Sequence, residues 1–185
     1  MENTSEESAT PGPAGPDATG DGRDVVRVRL LGDLAVEVRG TPVPLPAHAQ
    51  GPALLAWLAL HPGEHPRGPL AALLWPQLVA SNARRRLRET VWSVRRSLGP
   101  LEGAVLDGRD TVGLRCETDV ADVARALDAG EPARALALCR GALLAGAGLD
   151  AHDWVLGARA EHERRVAAAR VQLTPGRLPP GSPPA

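Results

Sequence analysis

From Asn82 to Gly99 the chain reads N-A-R-R-R-L-R-E-T-V-W-S-V-R-R-S-L-G, and its apolar residues recur at helical spacing. On a helix of about 100° per residue, Ala83, Leu87, Val91, Val94 and Leu98 fall within an arc of about 80°. Such a stripe must be buried, and its narrowness leaves the rest of the helix facing outward. Arg85, Glu89, Trp92 and Arg96 lie opposite the stripe, with Arg88 and Arg95 on one flank and Arg86 and Ser93 on the other. Arg84 sits at the border. Ser81 or Asn82 is the expected N-cap, and Gly99 the expected stop.

The segments before this helix alternate at a period of two. Val26, Val28 and Leu30 share one face of a strand, with Arg27, Arg29 and Leu31 on the other. Gly32-Asp33 turns the chain into a second strand, where Leu34, Val36 and Val38 repeat the pattern. Gly40-Thr41 turns it again into the short V-P-L, whose prolines suit a sheet edge. An antiparallel sheet with one wet face results. A helix follows, carrying Leu54, Leu55, Trp57 and Leu58 and stopped by Pro62-Gly63. A shorter helix comes next, bounded by Pro69 and Pro76. After the arginine helix, A-V-L-D-G-R-D-T-V-G-L-R reads as a hairpin, with Asp107-Gly108 as a type I′ turn.

Beyond Cys116 the pattern is wholly helical: T-D-V-A-D-V-A-R-A-L-D-A-G, E-P-A-R-A-L-A-L-C-R-G-A-L-L, and H-D-W-V-L-G-A-R-A-E-H-E-R-R-V-A-A-A-R-V-Q-L. The A-G-E-P-A-R-A-L junction resembles a tetratricopeptide-type helical turn. The expected class is α+β: an N-terminal antiparallel sheet, three helices and a C-terminal hairpin wing, then a short all-α, TPR-like segment. The expected division is a disordered acidic, Pro/Gly-rich tail at 1–23, a sheet–helix–hairpin domain at 24–116, a helical segment at 117–173 and a Pro-rich tail at 174–185.

Charge separates these parts. The net charge of −1 is made of −5 over residues 1–24, +5 over 25–116 and −1 over 117–185. A basic middle beside an acidic tail points to a polyanionic partner. The chain has no Lys, Phe or Tyr, so all of its basic residues besides His are arginines. Cys116 and Cys139 lack metal-ligand spacing and fit a reduced, cytoplasmic setting. The first residues lack the apolar core of a secretory signal, and no run reaches the about 20 apolar residues of a membrane span.

A charged helix face is ordinarily just solvated. Here the helix carries six arginines against one acid, Glu89, which cannot neutralise them. Like charges at i, i+4, such as Arg84 and Arg88, repel each other mildly. Phosphate relieves that repulsion, and arginine forks match both phosphate oxygens and the O6/N7 edge of guanine. Arg85 and Arg88 are placed to reach base edges, Arg95 and Arg96 to grip backbone, with Arg84 serving the domain itself. Packing of the hairpin or the next helical segment over Trp92 is the first expectation, and direct contact with DNA the second. Arg109, at the hairpin tip, is either solvated or placed for minor-groove or phosphate contact.

The order strand-strand-strand, three helices, hairpin resembles the winged helix of OmpR-type response regulators, and R-L-R-E-T-V-W-S-V-R-R-S-L-G resembles its recognition helix. L-A-A-L-L-W-P, G-E-P-A-R-A-L-A-L-C-R-G-A-L-L-A-G and D-W-V-L-G-A-R-A-E-H-E-R-R resemble segments of the AfsR/DnrI/RedD regulators, the Streptomyces antibiotic regulatory proteins (SARPs). In these a winged helix leads into a helical bacterial transcriptional activator domain. The likeness covers roughly Val25 to Leu173. It implies a cytoplasmic activator of secondary-metabolite genes that binds direct repeats in double-stranded DNA and helps recruit RNA polymerase. A homodimer on DNA is compatible with such repeats. The DNA-binding residues it implies are Asn82, Arg84, Arg85, Arg86, Arg88, Trp92, Arg95, Arg96 and Arg109. The chain departs from the family in three places: its helical segment is short, Val112-Gly113-Leu114 stands where a Gly-Tyr pair is usual, and Cys139 replaces an aromatic.

H-P-G-E-H-P at 61–66 matches the H-x-x-E-H zinc pattern in letters alone, because Pro62, Gly63 and Pro66 forbid the continuous helix that zinc chemistry needs. His152 and His162 lie ten apart with no third ligand. No nucleophile has a base at a suggestive spacing and no Gly-rich phosphate loop is present. Neither an enzyme nor a cofactor or metal is expected. The alternative function is a protein-interaction module that has lost DNA binding and modulates a full-length paralogous regulator.

Overall fold

A computed structural model describes residues 25–173; the tails expected at 1–23 and 174–185 lie outside the described residues. The architecture is mixed α+β, and its order is consistent with a winged helix leading into a helical segment. Strands β1 (Val26–Arg29), β2 (Ala35–Val38) and β3 (Thr41–Val43) form an antiparallel meander with β3 at the edge. Val26, Val28, Leu34, Val36 and Val38 are buried on its inner face, as their alternation requires. The third strand lies two residues earlier than V-P-L, because Val38 pairs with Thr41 across a two-residue turn. In that turn Arg39 (φ 52°) and Gly40 (φ 74°) are both left-handed.

Helix α1 (Gly51–Leu60) is buried nearly all round through Ala53, Leu54, Leu55, Ala56, Leu58 and Ala59. It forms the centre of the core. Residues Glu64–Pro66 form a strand, β4, that pairs with the later hairpin. The H-x-x-E-H letters therefore lie in a turn and a strand, with the His61 ring stacked on Trp57 at 4.3 Å between centroids. Helix α2 (Arg67–Leu74) starts two residues before Pro69 and ends before Pro76.

Helix α3 (Ala80–Ser97) buries Ala83, Leu87, Val91 and Val94, and Leu98 is buried as its C-cap. Its start differs from the sequence expectation. Val79 is the N-cap, and the Ala83 N–H already donates to the Val79 carbonyl at 3.0 Å. Ser81 and Asn82 thus fall inside the first turn rather than capping it. A 3₁₀ turn (Gly99–Ala104) leads into β5 (Val105–Asp107) and β6 (Thr111–Leu114), with sheet order β4-β6-β5. The turn is not type I′: Asp107 pairs with Val112, leaving four residues, none of them at positive φ. Gly113 faces β4 so closely that a Cβ there would lie 2.3 Å from the Gly63 carbonyl oxygen. The bare backbone at Gly113 is what lets β4 approach the hairpin.

The second half is joined to the first sheet. Strand β7 (Glu117–Thr118) runs parallel to β1 on the side away from β2. Helix α4 (Asp119–Asp128) starts on Thr118, whose hydroxyl accepts from the Ala121 N–H. Helix α5 (Pro132–Leu138) stops at Cys139, six residues short of the apolar pattern through Leu144. The reason is tertiary. Leu31 bridges to Leu143, the Leu144 N–H donates to the Leu30 carbonyl at 2.7 Å, and the Gly32 N–H donates to Ala142 at 2.9 Å. Residues 142–144 thus bond to the backbone beyond β1 instead of continuing a helix. Helix α6 (Asp153–Leu173) closes the described chain. No helix among the described residues is long and apolar enough to cross a membrane.

Candidate nucleic-acid interface

Burial of the α3 stripe turns Arg84, Arg85, Arg86, Arg88, Trp92 and Arg96 to the surface, together with Asn82 in the first turn. Their ion pairing divides them. Arg86 meets Glu89 at 3.2 Å, and Arg85 only grazes the same carboxylate at 4.0 Å. Arg95 pairs with Asp107 at 3.3 Å and Glu102 at 3.6 Å. Arg96 stacks over the Trp92 ring, 5.3 Å from its centroid. Arg84, Arg88 and Arg109 make no ion pair among the described residues.

Those three unpaired arginines share one feature. They line a cleft of about 750 Å³ between α3 and the β5–β6 hairpin, with Pro66, Arg67, Gly68, Trp92, Asp107, Gly108 and Asp110 as the other walls. Four arginines there face two aspartates. The excess positive charge focuses a field favourable to an anion, and the open mouth suits an extended ligand better than an enclosed one.

Trp92 departs from the first sequence expectation. It is 62% exposed, and neither the hairpin nor the helical segment covers it. The hairpin is tied to α3 at Arg95, which leaves the cleft open beside the ring. Arg109 stands at the hairpin tip, exposed, across the cleft from Arg84 and Arg88.

Sequence reasoning missed Arg67. Its backbone N–H donates to Asp110 (2.9 Å), its Nε to the Gly108 carbonyl (3.1 Å), and its Nη2 pairs with Asp107. Nothing local marks this arginine; strand β4 carries it to the hairpin tip. Thr90 is also buried on α3, its hydroxyl donating to the Arg86 carbonyl and lying 3.0 Å from His48 Nδ1. No group of three or more His, Cys, Asp or Glu among the described residues is arranged to hold a metal.

Fold and cleft define a mixed α+β protein in which a basic helix and a hairpin face one another across an open groove. The solved structure of Mycobacterium tuberculosis EmbR in complex with a low affinity phosphopeptide shares this fold. The two align with a TM-score of 0.59 at 20% identity, over 78% of this chain and 43% of the EmbR chain. The chain therefore spans less than half the length of that neighbour. No family model matches the sequence, and no curated protein matches it.

Proposed function

We propose that the chain is a sequence-specific DNA-binding transcriptional regulator of the SARP kind, with α3 as a recognition helix in the major groove and the β5–β6 hairpin as its wing. The observation that carries this reading is the cleft in which unpaired Arg84 and Arg88 on the helix face Arg109 on the hairpin. A helix of α3's width fits a major groove, and the hairpin then meets the flanking backbone or minor groove. Arg88, unpaired, and Arg85, weakly held by Glu89, are assigned to base edges. Arg84, Arg86, Arg96 and Arg109 are assigned to phosphates, with Asn82 and Trp92 at the margins of the interface.

On the same reading residues 24–116 bind DNA and 117–173 form a shortened activator domain. The partners are direct repeats in double-stranded DNA and RNA polymerase, in the cytoplasm, with a homodimer as the form on DNA. Regulation of a secondary-metabolite gene cluster follows from the family resemblance.

Selection of bound fragments from a random DNA pool tests this. A recurring repeat should emerge, and Arg85→Ala or Arg88→Ala should weaken binding to it by about 1–3 kcal/mol while changing random-sequence binding less. Failure to retain any duplex would favour the protein-interaction module instead.

A further inference from the structure

The cleft has two sides that belong to different parts of the sequence, and something must hold them at a fixed spacing. We infer that Asp107 is the positioning residue of the proposed DNA site, clamping the hairpin between α2 and α3 so that Arg109 faces Arg84 and Arg88. This rests on the DNA-binding reading above and extends it to residues that touch no nucleic acid.

One oxygen of Asp107 takes Arg67 from the first turn of α2, and the other takes Arg95 Nη1 from the last turn of α3 at 3.3 Å. Arg67 also holds the tip backbone at two points, Gly108 and Asp110. The clamp therefore joins three elements through one carboxylate. Its geometry uses the arginine fork: a lysine in place of Arg67 has no Nε donor for the Gly108 carbonyl. Arg67 and Arg95 are both engaged in this way, so neither is available to phosphate while the clamp is closed. Arg95 thus moves from backbone grip to wing placement.

The inference makes a prediction opposite to that of charge alone. Removing an acid from a basic cleft strengthens DNA binding by Coulomb's law, on any sequence. If Asp107 instead sets the wing, Asp107→Asn loosens the hold of α2 and α3 on the hairpin tip, and the preference for the selected repeat over random duplex falls roughly tenfold, even as random binding holds or rises. Arg67→Lys keeps the charge and should lose preference in the same direction.

The free protein provides a readout independent of DNA. Hydrogen exchange at the paired amides of β5 and β6 should quicken at least severalfold in Asp107→Asn and Arg67→Lys, with the amides of α1 unchanged. Unaltered hairpin exchange in both variants overturns the inference, as does tighter binding of Asp107→Asn to repeat and random DNA alike. If the wild-type chain binds no duplex while the exchange result holds, the clamp stands and the DNA reading fails.

Discussion

The carboxylate of Asp119 accepts the backbone N–H of Leu30 at 2.9 Å through one oxygen, and the neighbouring Leu31 N–H at 3.0 Å through the other. The first residue of α4 thereby satisfies two amides at the end of β1, where Leu30 and Leu31 are both buried. The helical segment is bonded directly into the first sheet, rather than hung from it by a linker.

Replacing Asp119 by Ala leaves both amides without an acceptor. Orphaned buried donors cost about 1–3 kcal/mol each before relaxation, so a net loss of roughly 2–3 kcal/mol is expected. Urea unfolding should show it as a lower midpoint in a single transition. An unchanged midpoint, or two separate transitions in the wild type, would show that the halves are not coupled here.

A second tie lies at Leu144, which is buried at a φ of 55°, an unfavourable backbone for a leucine. Arg159 on α6 holds that loop, donating Nε to the Leu143 carbonyl and Nη2 to the Leu144 carbonyl, both at 2.8 Å, and pairing with Asp150. Arg159→Ala should destabilise the fold by about 2–4 kcal/mol, and Arg159→Lys should recover less than half, because one ammonium cannot span both carbonyls. Thermal unfolding of the two variants measures the difference.

Much of the core was legible because it follows local periods. The α3 stripe and the Val26, Val28, Val36 and Val38 alternation depend only on which face is buried. What stayed hidden depends on partners distant in sequence. Strand β4 exists because Val112 pairs with His65, and β7 because Val28 pairs with Thr118. The apolar run through Leu144 has helical letters, yet the backbone of Leu30 and Gly32 claims its amide and carbonyl groups. Turn type failed for the same reason: Asp107-Gly108 carries the type I′ letters, but the register left four residues there and two at Arg39-Gly40. In the site, the arginines were visible, while their division into paired and unpaired was not. Glu102 and Asp107, distant in sequence from the helix start, decide that Arg95 is engaged and Arg88 is not.

Burial pushes the Cys116 thiol from its ordinary 9.0 up to about 11. The folded state holds this proton more tightly than the unfolded chain does. Its contribution is therefore whole below pH 9 and lost as pH rises toward about 11, a fall of roughly 2–3 kcal/mol. With no Lys or Tyr in the sequence, cysteines are the only side chains that titrate in this window. Cys116→Ala should remove most of the alkaline slope seen in denaturant unfolding. A slope of equal size in the variant would place its origin elsewhere.

In the proposed DNA-bound state, Arg84, Arg88 and Arg109 present unpaired charge to a nucleic-acid backbone and groove. The most direct measurement is the affinity of the chain for its selected duplex across a series of salt concentrations. Log affinity should fall linearly and steeply with log salt, and replacing all three arginines by Ala should reduce the slope by about 2–3, near one unit for each arginine that neutralises a phosphate. A flat dependence, or a slope that the triple replacement leaves intact, would contradict the assignment of this cleft to DNA.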